Sequence, residues 1–299
     1  RTVTGVQTCA LPICSDATNP LTTLIVEEYI WLNINDPKIH VRWHKDLPKS
    51  LVRLILGSIR DGRNSFVFLN DEVVEGALTA LGEDPADARN YVVIGCYEPA
   101  ALGKEVPCTC AARVNLPKAV LVAMNGGIDP DTGAAVGVPA DPDSYRDFDA
   151  FYAAVLAQIE TFADRAAALT VAYERAYPSL NPAPLFSSTL ADCVARGKDA
   201  YSGGAKYNNS AANAICIAST VDALTAVRCL VYEEKKLKLS EFAAILRGNW
   251  RGYEELRQTA LRRLPKYGNG DPTVDALAAR VVHDTAACIN GKPNGRGGI

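Results

Sequence analysis

The chain has 299 residues, 48% hydrophobic and 22% charged, with a net charge of −3. That is enough apolar sequence for a sizeable core in one or two domains, and no apolar run approaches the roughly 20 residues of a membrane-spanning helix. Lysines and arginines are dispersed through a slightly acidic chain, which argues against nucleic acid as a partner.

Residues 1–14 resemble the translated read-through of a sequencing adapter and are set aside from the fold. With no initiator methionine, and Met124 as the single methionine, the rest reads as an interior fragment of a longer protein. Setting Cys9 and Cys14 aside leaves seven cysteines at irregular spacings. Cys108 and Cys110 are separated by one residue rather than the two of a zinc knuckle, so no metal site is expected. Reduced thiols in a cytoplasmic protein fit this pattern.

From residue 16 to residue 99 helical and strand patterns alternate. Residues 21–32 read as a helix, 39–43 as a strand and 48–59 as a helix with Pro48 in its first turn. A strand at 66–69, a helix at 71–81 and the buried strand Tyr91-Val92-Val93-Ile94 follow. Such alternation predicts an α/β fold with a largely parallel sheet or barrel. The three strands run into His44, Asn70 and Cys96, which would place these residues near one rim. Gly95 and Pro99 read as breakers of the third strand.

Beyond Pro99 the pattern is mostly helical. Helices are expected at 114–124, where Pro117 falls near the start, and at 145–173. Ile217, Val221, Leu224, Val227 and Val231 mark one buried helical face. Ser240 reads as the N-cap of a helix whose apolar stripe runs from Phe242 through Trp250 to Leu256. Residues 203–208 lack P-loop spacing and read as a tight structural turn. No linker or repeat interrupts the sequence, which reads as part of one large domain.

Cys96 and Glu98 lie two residues apart where a strand leaves its sheet, the position at which α/β folds place chemistry. Pattern alone leaves two readings of each. Cys96 is a packed thiol or a reactive one; Glu98 is a solvated loop acid or a functional carboxylate. The three histidines are His40, His44 and His283, and no sequence signature ties one to Cys96 as in a Cys–His hydrolase.

The segment Gly95-Cys96-Tyr97-Glu98-Pro99 resembles the Gly-Cys-Val-Glu-Pro active-site loop of glycyl radical enzymes, with Tyr97 in place of valine. Residues 16–19, 41–45, 68–73, 115–118, 203–208 and 265–269 match that family in the same order. The resemblance implies a partial ten-stranded β/α barrel around a buried site, with a mostly helical C-terminal half. It implies a backbone glycyl radical, installed by a radical S-adenosylmethionine activating enzyme that carries an iron–sulfur cluster. The glycine would lie in a C-terminal segment that residues 15–299 lack, and no bound cofactor is implied. By its place in the loop, Cys96 would be the thiyl residue that removes a hydrogen atom from substrate. Glu98 would be the acid or base acting on a substrate hydroxyl, and His44, Asn70 and Thr109 are candidate pocket residues. The full-length protein would be a cytoplasmic homodimer of anaerobic metabolism acting on a small molecule, with no membrane or nucleic-acid partner.

Pyruvate formate-lyase, in the same family, carries two adjacent cysteines. Gly95 occupies the first of those positions here and disfavours acetyl transfer. The resemblance therefore points to a lyase or dehydratase that eliminates water or another leaving group from a small polar substrate such as glycerol, choline or hydroxyproline. A formate acetyltransferase and a catalytically inactive scaffold are the alternatives. Tyr97 and residues 100–110 match no named subgroup and leave the substrate open. The fragment alone would be unable to store the radical.

Overall fold

The computed structural model describes residues 18–34, 36–63, 65–95 and 97–299, except for the side chain of Thr109. In chain order the elements are α1 (Pro20–Leu32), β1 (Ile39–Trp43), α2 (Lys49–Arg60), β2 (Phe66–Asn70), α3 (Asp71–Ala80), α4 (Pro85–Arg89), β3 (Tyr91–Ile94) and β4 (Glu98–Ala101). Then come β5 (Cys108–Asn115), α5 (Leu116–Met124), α6 (Phe148–Leu180), α7 (Pro184–Ser187), α8 (Ala191–Arg196) and β6 (Ser210–Ile215). The chain closes with α9 (Ile217–Val227), α10 (Leu239–Arg247), α11 (Glu254–Gln258) and α12 (Pro272–Ile289).

The α/β alternation and the helical second half are present. Among the described residues the strands form three two-stranded sheets, β1–β2, β3–β4 and β5–β6, rather than a continuous barrel wall. β1 and β2 run parallel, as a helical crossover requires, whereas β3 and β4 are antiparallel, because the chain turns back after Ile94. Contacts divide the chain into two compact units, Arg1–Thr109 with Tyr177–Asn209, and Cys110–Ala176 with Ser210–Ile299.

In the first unit β2 is covered on both faces. Phe66 packs with Val26 and Tyr29 of α1, Ile39 and Val41 of β1, and Leu51 and Ile55 of α2. Val67 and Leu69 pack with Leu78 of α3, Ala88 of α4, and Tyr91 and Val93 of β3. Successive strand side chains point to opposite faces, so a strand buried on both sides reads as the unbroken apolar run Phe66-Val67-Phe68-Leu69. Leu51 and Ile55, one helical turn apart, form the inward face of α2, and each such buried side chain contributes about 1.5–3 kcal/mol.

The second unit packs β5, α5, α6, α9, α10 and α12 around Leu116, Phe151, Tyr152 and Leu224. Val221, Leu224, Val227 and Val231 are buried as their spacing predicts, although α9 widens into a π-turn over Arg228–Glu233 before Val231 is reached.

Several local expectations are corrected. Gly95 ends β3, but Pro99 lies inside β4. Val114 and Asn115 belong to β5, and the Asn115 side chain caps α5 by accepting the Lys118 N–H at 3.1 Å. Helix α6 begins at Phe148 and runs seven residues beyond Tyr173 to Leu180. Ser240 is not a cap: its hydroxyl donates to Asp143 at 2.7 Å, and Lys238 precedes α10. The stripe from Phe242 to Leu256 is split between α10 and α11, because Asn249, Trp250 and Gly252 adopt positive φ and turn the chain.

Candidate active site

β3 and β4 pair from Tyr91 opposite Ala101 to Ile94 opposite Glu98, which leaves residues 95–97 as the connection. Cys96 lies outside the described residues; Gly95, Tyr97 and Glu98 around it are described. Gly95 has φ of +60°, a conformation open to glycine and strained for other residues. A Cβ at this position would stand 2.8 Å from Glu98 Oε2. The same oxygen accepts the Tyr97 N–H at 2.9 Å. The Glu98 carboxylate is thus folded back over the turn, into the space that a glycine leaves. Glu98 is half-buried and Tyr97 is exposed. Pro99 has no N–H to donate, which suits β4 because β3 is its one strand partner among the described residues.

The start of the hairpin is locked in place by Arg42 of β1. Its guanidinium donates to Asp71 at 2.9 and 3.1 Å, lies 3.9 Å from the Tyr91 ring centroid, and donates to the Tyr91 carbonyl at 3.3 Å. The Tyr91 hydroxyl closes the set by donating to Asp71 at 2.7 Å. Burial, reinforced by that carboxylate, holds the Tyr91 phenol well above its ordinary range, so it stays a donor. A bidentate arginine stacked on an aromatic ring fixes both strand ends in one geometry. Sequence reasoning did not single out this trio. Its signal is Arg42 within an apolar alternating strand, where a part-buried charge requires a partner.

His44 and Asn70 are brought to one edge, since Trp43 pairs with Asn70 in the parallel β1–β2 register and His44 follows directly. Asn70 already has a structural task, because its side chain accepts the Val73 N–H and caps α3. Thr109 belongs to β5 and to neither of these sheets.

Gly95→Ala is expected to destabilise the hairpin by about 1–2 kcal/mol through its positive φ and to displace the Glu98 carboxylate. Loss of Tyr97 amide protection in hydrogen exchange reads the displacement; unchanged protection would show that the carboxylate does not depend on the glycine.

The family described as PFL-like, Pyruvate formate lyase-like, matches residues 10–299. The chain is 32% identical over 286 residues to the (2S)-3-sulfopropanediol dehydratase of Klebsiella oxytoca, covering 95% of this chain and 35% of that enzyme. It is 26% identical to the trans-4-hydroxy-L-proline dehydratase of Clostridioides difficile, covering 96% of this chain and 36% of that enzyme. The glycerol-bound structure of the B12-independent glycerol dehydratase from Clostridium butyricum superposes with a TM-score of 0.87 at 31% identity, covering 95% of this chain and 36% of that one. The chain therefore spans about a third of the length of these relatives.

Proposed function

The chain belongs to the pyruvate formate lyase-like family, and from that premise we propose that it is part of a glycyl radical lyase or dehydratase acting on a small polar substrate. In this reading residues 15–299 form part of a ten-stranded β/α barrel domain. The radical-bearing glycine lies in sequence beyond them, a separate radical S-adenosylmethionine enzyme activates the full-length protein, and that protein is a cytoplasmic homodimer. Relatives named as dehydratases of a sulfonated diol, hydroxyproline and glycerol support the reaction class.

The Cys96 thiol would give its hydrogen atom to the radical-bearing glycine carbon, the S–H bond breaking as a Cα–H bond forms, and Cys96 would be left as the thiyl. The Cys96 sulfur then forms an S–H bond as a substrate C–H bond breaks, leaving a carbon radical beside a hydroxyl group. The Glu98 carboxylate takes the hydroxyl proton while the neighbouring group departs with its bonding electron pair. The S–H returns its hydrogen atom to the product radical.

The observation that carries this reading is the Gly95–Glu98 contact. A cysteine at position 95, which acetyl transfer needs as its second thiol, would take a strained φ and crowd the carboxylate at 2.8 Å. Glycine at 95 and a glutamate folded over the turn therefore go together, and they favour proton transfer over acetyl transfer.

Glu98→Gln tests it, because the amide oxygen can still accept the Tyr97 N–H while the group can no longer take a proton. Activated full-length protein would be assayed against glycerol, propane-1,2-diol, hydroxyproline, choline and sulfonated diols. The variant should lose about 10²–10⁴-fold in turnover with substrate binding retained. Undiminished elimination, or acetyl transfer from pyruvate to coenzyme A by the unsubstituted protein, would overturn the reading.

A further inference from the structure

Beside the hairpin in sequence, the first unit contains a charge cluster that the proposed reaction does not use. Asp87 of α4 accepts hydrogen bonds from Lys104, from Lys206 at 2.6 Å and from the Tyr207 hydroxyl at 2.9 Å. Lys206 also donates to Asp84, whose own N–H donates to the Tyr207 hydroxyl at 2.9 Å. Burial opposes charge on Asp87, yet the hydrogen bonds from Lys104, Lys206 and Tyr207 outweigh it and draw the carboxyl down to about 2. Both ammonium groups are thus engaged by Asp87, which remains ionised.

Against this cluster lie two more carboxyl groups. Glu83, between α3 and α4, is 3% exposed, and neither of its carboxyl oxygens has a hydrogen-bond partner among the described residues. Glu105, just past β4, is 8% exposed and accepts the Ala101 N–H at 3.0 Å. Two ionised carboxylates only accept, so they cannot bond each other; one added proton turns either into a donor. A carboxylate taken out of water with no donor is strongly disfavoured, and adjacent carboxylates resist ionising together.

We propose that Glu83 and Glu105 share one proton near neutral pH, and that its loss on alkalinisation loosens a latch made of residues 83–87, 101–107 and 204–207. The backbone makes these segments one unit, since Glu105 bridges Tyr207 and the Tyr207 N–H donates to the Lys104 carbonyl at 3.0 Å. The latch ties down the end of β4, the strand that Glu98 begins. It stands whether or not the proposed reaction is correct.

The electrostatics agree with the geometry. Burial first, then the charge of Glu105 and the carboxyl–carboxylate hydrogen bond that the shared proton makes with it, then the charge of Asp87, push the Glu83 carboxyl up to about 7 against the opposing pull of Lys206. The folded protein therefore holds a proton that the unfolded chain has released between the ordinary glutamate range and about pH 7. Stability falls as the pH rises through that window and levels off above it.

Hydrogen exchange of the full-length protein, corrected for intrinsic rates, tests the latch. Between about pH 5.5 and about pH 8, opening of peptides covering 83–87, 101–107 and 204–207 should increase on the order of tenfold. Glu83→Gln keeps a neutral donor and should flatten that rise. A rise of the same size in the variant, or pH-independent protection in the unsubstituted protein, would overturn the proposal. Infrared spectroscopy keeps it testable should Glu83→Gln not fold. A buried protonated-carboxyl band should be present in the unsubstituted protein below neutrality and fade above it, and absence of that band would also overturn the proposal.

Discussion

Cys96→Ala in the activated full-length protein should abolish turnover, by on the order of 10⁴-fold or more, the scale of loss when the reacting group of a catalytic unit is deleted. Alanine offers a methyl group in place of a thiol and has no weak S–H bond to make or break, so hydrogen abstraction stops at its first step. Radical storage does not require this side chain if the radical resides on a glycine elsewhere. The glycyl radical signal in electron paramagnetic resonance should therefore persist in the variant while product formation disappears. That split separates loss of the thiyl from failure to fold or to be activated. Turnover at the unsubstituted rate would remove Cys96 from the mechanism and with it the role proposed for Glu98.

Arg296→Ala should be the most damaging single change to stability in the second unit, at about 3–5 kcal/mol. Both side chains of the Arg296–Glu174 pair are 3% exposed, with Nε and Oε1 3.0 Å apart. The Ser210 hydroxyl donates to Glu174 at 2.6 Å, the Gly295 N–H donates to its other oxygen at 2.8 Å, and Arg296 and Asn294 both donate to Ser210. Gly295 is needed for the approach, because a Cβ there would meet both Glu174 Cβ and the Val171 carbonyl of α6 at 2.8 Å. Removing the guanidinium leaves a buried carboxylate whose main counter-charge has gone. Replacing both members by methionine should recover much of the loss, since the cost lies in the orphaned charge rather than in missing attraction. Denaturant unfolding of Arg296→Met, Glu174→Met and the double variant measures this. Additive losses across the cycle would show that the two groups act independently.

The structure buries Arg296, set among glycines near the end of the sequence, against Glu174, 122 positions earlier. The two residues share no periodicity and no motif, and nothing local distinguishes a buried arginine from a solvated one. Lys206 and Tyr207 show the same limit. Their glycine-rich surroundings read correctly as a turn, while their partners Asp84 and Asp87 are about 120 positions away. The Arg42–Asp71–Tyr91 trio also joins three elements, and its cue is an oddity of composition within β1.

By itself the sequence determined the elements that short-range physics controls: helices α1, α2 and α3, the strand β2, and the loop with Cys96 and Glu98 two residues apart. These follow from side-chain period, turn residues and spacing, each decided within a few positions. Tertiary structure alone decided that β3 turns back into β4, that Gly95 makes room for the Glu98 carboxylate, and that Glu83 is buried without a donor beside Glu105. The physical reason is common to all three. Strand pairing, close approach and desolvation depend on what arrives from elsewhere in the chain, and composition at one position does not encode its neighbours in space.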